Sequence, residues 1–406
     1  MNTKIPKRRF KEFQNANAWE QRELGELSNI RRGASPRPIS DPKWFSNESD
    51  IGWIRISDVT EQNGRIKNVE QKLSNLGIEK TLILDEGELI LSIAASVGKP
   101  VINYIKTGIH DGFIVFLNPQ FHRDFMFAWL ERNQFIWNRY GQPGSQVNIN
   151  SEIVKKQKIL LPNIKEQEKI SNMILKFEDM ITLHKRKFKK LKQLQKSYLS
   201  ESVFSEPKCV PKRRFKGFID EWEQKKLKNV VITNPYEELP EKFNYVNLES
   251  VLGTSLISYE CTNIENAPSR AQRLAKKGDI FFQNVRPYQK NNLLFNLDCS
   301  NYVFSTGYTQ LRPKLNSGFL FSIIQKDKFV NKVLNRCTGS SYPAISSKDL
   351  VDIKVNISRN IEEQNKIADF IGTIDKLLTL HKNKRDTIQK TQKIYLQNNL
   401  KDETYA

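Results

Sequence analysis

The sequence predicts an α+β fold: two similar α/β domains separated by an antiparallel two-helix coiled coil, with a pseudo-two-fold internal repeat. Three observations predict it. Short motifs recur in the same order at a spacing of roughly 200 residues. Each set of strand-like segments is followed by a long stretch of heptad-spaced apolar residues. The chain has 406 residues, enough for more than one packed core.

The repeat is read directly. Pro6-Lys7-Arg8-Arg9-Phe10-Lys11 returns as Pro211-Lys212-Arg213-Arg214-Phe215-Lys216. Trp19-Glu20-Gln21 returns as Trp222-Glu223-Gln224, and Glu166-Gln167 as Glu363-Gln364. A period this long exceeds a solenoid unit and fits a duplicated domain plus helix. The expected organisation is a first domain with a basic arm over 1–160 and a first spacer helix over 161–205. A second domain follows over 206–357, then a second helix and tail over 358–406.

Within the first domain, alternation and β-branched residues predict strands at Ile51–Ser57, Glu88–Ile93 and Ile114–Leu117. Phe125–Tyr140 reads as a helix, 141–150 as a polar loop, and Ile159–Leu161 as a last strand ended by Pro162. The second domain repeats this order. Gly278–Phe282 matches Gly87–Leu91, Phe304–Gly307 matches the segment from His110, and Gly339-Ser340 matches Gly144-Ser145. The offset between matched anchors drifts from 205 to 191 and back to 197, which places insertions in loops, where they are tolerated.

The helices carry a heptad seam. Ile170, Ile174, Phe177, Ile181, His184, Phe188, Leu191, Gln195 and Tyr198 alternate steps of four and three. Ile367, Ile371, Ile374, Leu378, His381, Arg385, Ile388, Gln392 and Tyr395 do the same. Polar layers fall at matching places, at His184 and His381 and at Gln195 and Gln392; such layers weaken packing and fix register. The expected arrangement is that the two helices pack on each other.

Lys plus Arg total 65 against 45 Asp plus Glu, a net charge of +20. That excess favours polyanionic partners, nucleic acid first. No apolar run is long enough to span a bilayer, and the basic start lacks the apolar region of a secretory signal. Cys209, Cys261, Cys299 and Cys337 are widely spaced and the four histidines form no ligand cluster, which predicts reduced thiols, a cytoplasmic protein and no metal.

Two variable regions, each followed by a long helix opening near a Glu-Gln pair, resemble the specificity subunit of type I restriction-modification systems. The stretches that carry the resemblance are Leu161-Pro-Asn-Ile-Lys-Glu-Gln-Glu-Lys-Ile170 and Asn360-Ile-Glu-Glu-Gln-Asn-Lys-Ile367. The Gly87 and Gly278 strands, the Ser305-Thr-Gly307 turn and the Trp-Glu-Gln starts add to it. One departure is the absence, before the second helix, of the proline that precedes the first. The resemblance implies two target recognition domains, each reading one half of a bipartite, asymmetric site in double-stranded DNA, and a helical spacer that sets the gap. It further implies docking of two methyltransferase subunits that carry S-adenosylmethionine, assembly with restriction and translocase subunits, and no catalysis by, or cofactor on, the chain itself.

The residues support that absence of catalysis. Asn234-Pro-Tyr236 lacks the second proline of an amino-methyltransferase motif, and Val97-Gly-Lys-Pro100 lacks the first glycine of a phosphate loop. His110-Asp111 is matched by Ser305-Thr306, so a turn is expected there. Arg and Lys reach guanine, Asn and Gln reach adenine, and backbone amides with Ser or Thr hydroxyls hold phosphates. Loops offering such groups are the candidate DNA contacts. In the first domain they are Arg31, Arg32, Arg37, Ser145, Gln146 and Asn148. In the second they are Arg270, Arg273, Arg286, Tyr288, Gln289, Lys290, Ser340, Ser341 and Tyr342. The basic run from Lys185 to Lys192 reads as a solvated coil face or a docking surface. The alternative reading of the whole is a non-catalytic coiled-coil scaffold that binds acidic partners without sequence preference.

Overall fold

The structure, a computed structural model, describes residues 9–140, 149–201, 211, 214–339 and 341–400. It divides into two compact units, one of residues 1–183 with 385–406, the other of residues 184–384.

In the first unit a five-stranded sheet runs in the order Asn29–Arg32, Phe113–Leu117, Leu89–Ser92, Pro100–Asn103, Arg65–Ile66. A smaller sheet holds Gly52–Trp53, Thr107–Ile109 and Leu82–Leu84, the first two parallel and the last two antiparallel. In the second unit Val231–Thr233, Tyr308–Pro313, Ile280–Gln283 and Leu293–Leu294 form one sheet. Glu260–Asn263, Lys242–Val246, Tyr302–Ser305 and Ala271–Leu274 form the other, whose inner pair is again parallel and whose next pair is antiparallel. The two units therefore share the central strand order of both sheets, with one further edge strand on the larger sheet of the first unit, Arg65–Ile66, and one on the smaller sheet's counterpart in the second, Glu260–Asn263. Buried, near-continuous apolar strands such as Phe113–Leu117 and Ile280–Gln283 anchor the cores. Gly87 and Gly278 enter the central strands at φ +91° and +92°, a conformation that disfavours any residue with a Cβ.

Two expectations change. Of Ile51–Ser57 only Gly52–Trp53 is strand, and Ile56–Glu61 is helical. The Asp58 carboxylate accepts from the Arg55 amide at 2.9 Å, a cap that turns the chain into a helix before the alternation is complete. The helix expected over Phe125–Tyr140 is α-helical only over Arg123–Arg132, and Gln134–Tyr140 is a 3₁₀ segment. Asn133 makes the break: its side-chain amide donates to the carbonyls of Trp129 and Leu400, at 2.9 and 2.8 Å. The loop expected over 141–150 lies outside the described residues up to 148; Asn150 caps the short helix Ser151–Lys155 by accepting from Ile153 N.

The recurring motifs are structural. Trp19 and Trp222 are buried against Phe125 and Phe319. The residues after them form strands paired antiparallel with Lys158–Leu161 and Lys354–Ile357. Arg9 donates two hydrogen bonds to the Glu166 carboxylate, at 2.8 and 2.7 Å, and Arg214 does the same to Glu363, at 2.5 and 2.8 Å. The side-chain amides of Gln167 and Gln364 donate to the carbonyls of Pro162 and Ser358, both at 2.8 Å. Their oxygens accept from the backbone of His122 and Asn316, the residues that open Arg123–Arg132 and Ser317–Ile324. One Arg of each basic arm and the Glu-Gln pair thus lock each domain to the root of its own helix.

The long helices are Ile164–Glu201 and Ile361–Leu400. The missing proline does not matter, because Asn163 and Asn360 cap both starts by accepting from Glu166 N and Glu362 N. Every seam residue predicted above is buried or half-buried, whereas Lys185, Arg186, Lys187, Lys189, Lys190 and Lys192 are exposed. Ile170 and Ile174 lie in the core of the first domain, and Ile367 in that of the second; Ile371 and Ile374 are buried, and Phe177, Ile181 and Leu378 continue the seam. Within the second unit His184 meets His381, Gln195 meets Asp375, and Tyr198 meets Phe370, so the helices run antiparallel. Within the first unit Tyr395 packs on Phe177 and Phe10. The polar layer at Gln195 is filled by Asp375, because antiparallel pairing places matching heptads at opposite ends.

Candidate nucleic-acid interface

In the first domain the site is built around a close approach. Gly33 follows the strand Asn29–Arg32, and a Cβ on it would lie 2.2 Å from the His110 carbonyl oxygen. Only glycine lets the two segments meet. Arg32 Nε then donates to the Asp111 carbonyl at 2.6 Å, Ser35 Oγ to Asp111 Oδ1 at 3.1 Å, and Arg37 to Asp111 Oδ2 at 3.3 Å. The Arg37 side chain is 82% exposed, so this ion pair adds roughly 0–1 kcal/mol to stability; its consequence is orientation. Arg31 sits exposed on the same strand, opposite Val115. Beside the cluster lies an open groove of about 660 Å³ lined by Pro36, Pro38, Ile39, Trp53 and His110, with Arg55 also at it.

The turn expected at His110 is present. The His110 Nδ1 accepts from Gly112 N at 2.9 Å, its ring lies against Phe113 and Trp53, and burial holds its pKa below the usual imidazole range. Ser305 does the same work in the second domain, where its hydroxyl accepts from Gly307 N at 3.1 Å. Ser145, Gln146 and Asn148 lie outside the described residues.

In the second domain Arg270 is exposed, and its carbonyl accepts from Thr306 N. Arg273 is half-buried on Ala271–Leu274, where burial lowers its pKa, and it lines a groove of about 540 Å³ with Tyr236 and Gln272. The Arg286 guanidinium lies 4.4 Å from the centroid of the Tyr342 ring, and Arg286 N donates to Pro343 O. Tyr288 and Tyr342 are exposed, as is Ser341. Ser340 lies outside the described residues.

Two candidates are tied back to the fold, Lys290 half-buried and Gln289 exposed. Lys290 Nζ donates to Gln325 O at 2.9 Å and to the Asp327 carboxylate at 2.6 Å. Gln289 Oε1 accepts from Gln283 Nε2 at 3.2 Å. Both hold the turn that carries Arg286. Sequence reasoning omitted Asp111 from the site; its partners are more than 70 residues away, and no local pattern announces them.

Asn234 is a turn residue, at φ +48°. Its oxygen accepts from Gln310 N and its amide donates to Ser347 Oγ, so neither group is free to hold a base. Among the described residues no cluster of three metal-ligating side chains occurs, and no helix is long and apolar enough to cross a membrane.

The family model for the type I restriction modification DNA specificity domain matches this chain twice, over residues 17–193 and 219–390. The MjaVIII specificity subunit of Methanocaldococcus jannaschii, a type I restriction enzyme subunit, is 24% identical over 404 residues, covering 92% of this chain and 90% of that protein. The HindI specificity subunit of Haemophilus influenzae is 27% identical over 150 residues, 36% of this chain and 32% of that protein. The crystal structure of the S subunit of a type I restriction-modification system from M. genitalium has a similar fold, with a TM-score of 0.61 at 16% identity, over 98% of this chain and 100% of that one. One model matching once per half is what duplication leaves behind, and the shared topology of the two units is its physical counterpart. The chain belongs to the type I restriction modification DNA specificity family and is a DNA-recognition subunit.

Proposed function

We propose that this chain reads a bipartite, asymmetric site in double-stranded DNA, one domain per half-site, as the non-catalytic subunit of a type I restriction-modification complex. The observation that carries the reading is a strand order built twice with different groups at matching turns: His110 and Asp111 in one domain where the other has Ser305 and Thr306, and Ala95 where the other has Arg286. A net charge of +20 supplies the attraction to phosphate. The reaction falls to partners: two methyltransferase subunits that carry S-adenosylmethionine and modify adenine, and restriction and translocase subunits, all in the cytoplasm. The structural roles of His110 and Asn234 support a chain that does no chemistry. The family assignment favours this reading over an unselective scaffold.

Sequencing modified adenines in cells with and without the gene tests it. The expected result is a motif of two short blocks around an unspecified gap, present only with the gene. Exchange of residues 30–160 for another such domain is expected to replace one block and leave the other. Both blocks surviving the exchange would overturn the half-site assignment.

A further inference from the structure

We propose that Arg286 is the guanine-reading residue of the second domain, held ready by a strained turn and by the face of Tyr342. The inference rests on the DNA-recognition reading above and assigns a residue and a base to it.

The turn is unusual in its backbone. Arg286 and Lys290 both adopt left-handed conformations, at φ +54° and +55°, and they bracket the 3₁₀ turn Pro287–Gln289. Residues with a Cβ disfavour that region, and such strain persists only where the surroundings over-determine it. Here they do. Arg286 N donates to Pro343 O, and Val285 bridges to Ala344. Lys290 is clamped to Gln325 and Asp327. Gln283 donates to both Val285 O and Gln289 Oε1. Lys290 is half-buried at its clamp, Tyr288, 51% exposed, and Gln289 stay outside, and half-buried Arg286 lies on the ring of Tyr342, which is itself 63% exposed.

The internal repeat gives a second, independent observation. Ile93 N donates to Gly112 O in the first domain, as Asn284 N donates to Gly307 O in the second. Two residues beyond each donor stand Ala95 and Arg286, and Ala95 is also left-handed, at φ +58°. Both domains thus keep the same costly bend after their central strand. One fills it with a methyl group, the other with a guanidinium. The bend is kept while its side chain differs, which is what two domains reading different sequences require of a contact position.

The chemistry selects guanine. A guanidinium lying on an aromatic face has its planar fork oriented at little further entropic cost, and that fork matches the O6 and N7 acceptors of guanine in the major groove. Lysine supplies the charge without the fork.

The test uses the intact system in cells, with modified bases sequenced in strains carrying wild type, R286K, R286A and Y342L. The expected result for R286K and R286A is a motif in which one guanine position of one block is relaxed, with discrimination reduced roughly 5- to 150-fold and the other block unchanged. Y342L is expected to relax the same position more weakly. An unchanged motif in R286A would overturn the proposal. So would modification that weakens evenly at every site, which marks a phosphate contact. Should R286A abolish modification outright, R286K decides: full discrimination at every position in that variant also overturns it. Absence of any gene-dependent motif in wild type would instead defeat the DNA-recognition reading itself.

Discussion

Buried Glu363 shows why the repeated motifs are retained as a set. Burial pushes its pKa up, but hydrogen bonds from Arg214, Ser358 and Trp222 outweigh that and hold it below the usual carboxylate range. A depressed carboxylate contributes stability that is present above its unfolded pKa of about 4.3 and is lost as pH falls through the folded value. R214A leaves this buried carboxylate without its cation, held only by Ser358 and Trp222, and is expected to destabilise the second unit by about 3–5 kcal/mol at neutral pH in urea unfolding. The deficit of E363Q should shrink as pH falls below the unfolded carboxylate pKa of about 4.3, because the unfolded wild-type chain then takes up a proton that the folded carboxylate resists. His381 gives a second titration. Its Nδ1 lies 2.8 Å from that of His184, so one ring must accept where the other donates. Burial, then His184, Lys187 and Lys384, lower the His381 pKa. A lowered histidine loses stability as pH falls from its unfolded value of about 6.5 through the folded one. The helix pair should therefore melt at lower temperature at about pH 5.5 than at about pH 7.5, followed by far-ultraviolet circular dichroism, and H381N should flatten that dependence.

At the level of the elements, each end of a helix belongs to a different neighbourhood. The start of Ile361–Leu400 is locked to the second domain through Glu363 and Gln364, while its end packs in the first unit. There Tyr395 meets Phe10 and Phe177, and Leu400 O accepts from Asn133. Truncation after Ile394 is expected to destabilise the first unit by roughly 3 kcal/mol or more, through loss of a large buried side chain. Hydrogen exchange should show the loss in residues 9–183 while residues 214–384 keep their protection. Equal loss in both units would contradict the assignment of this segment. The strand expected at Ile51–Ser57 makes the complementary point: its alternation was real, and a single carboxylate cap at Asp58 overrode it.

For the whole molecule, the seam makes a prediction about DNA. Insertion of one heptad in both helices adds about 10.5 Å, at 1.5 Å per residue. With base pairs about 3.4 Å apart, the unspecified gap is expected to widen by roughly three base pairs while both blocks persist. Sequencing of modified bases reads the outcome directly. An unchanged gap would mean that the helices do not measure it.

The sequence by itself determined the duplication, the seam and the antiparallel sense of the helix pair. Periodicity and recurrence are local signals, and each of the eighteen seam positions read from them is buried or half-buried. Only the tertiary structure decided the partners. Arg9, which the sequence marks only by its recurrence, is held by Glu166, 157 residues later. Lys290 looked free until Asp327 was seen to take it, and Asp111 gained Arg32, Ser35 and Arg37 only through the close approach at Gly33. A charge reports its sign from anywhere in a chain, but its role depends on what folding brings within hydrogen-bonding distance, and that distance is set by contacts far apart in sequence.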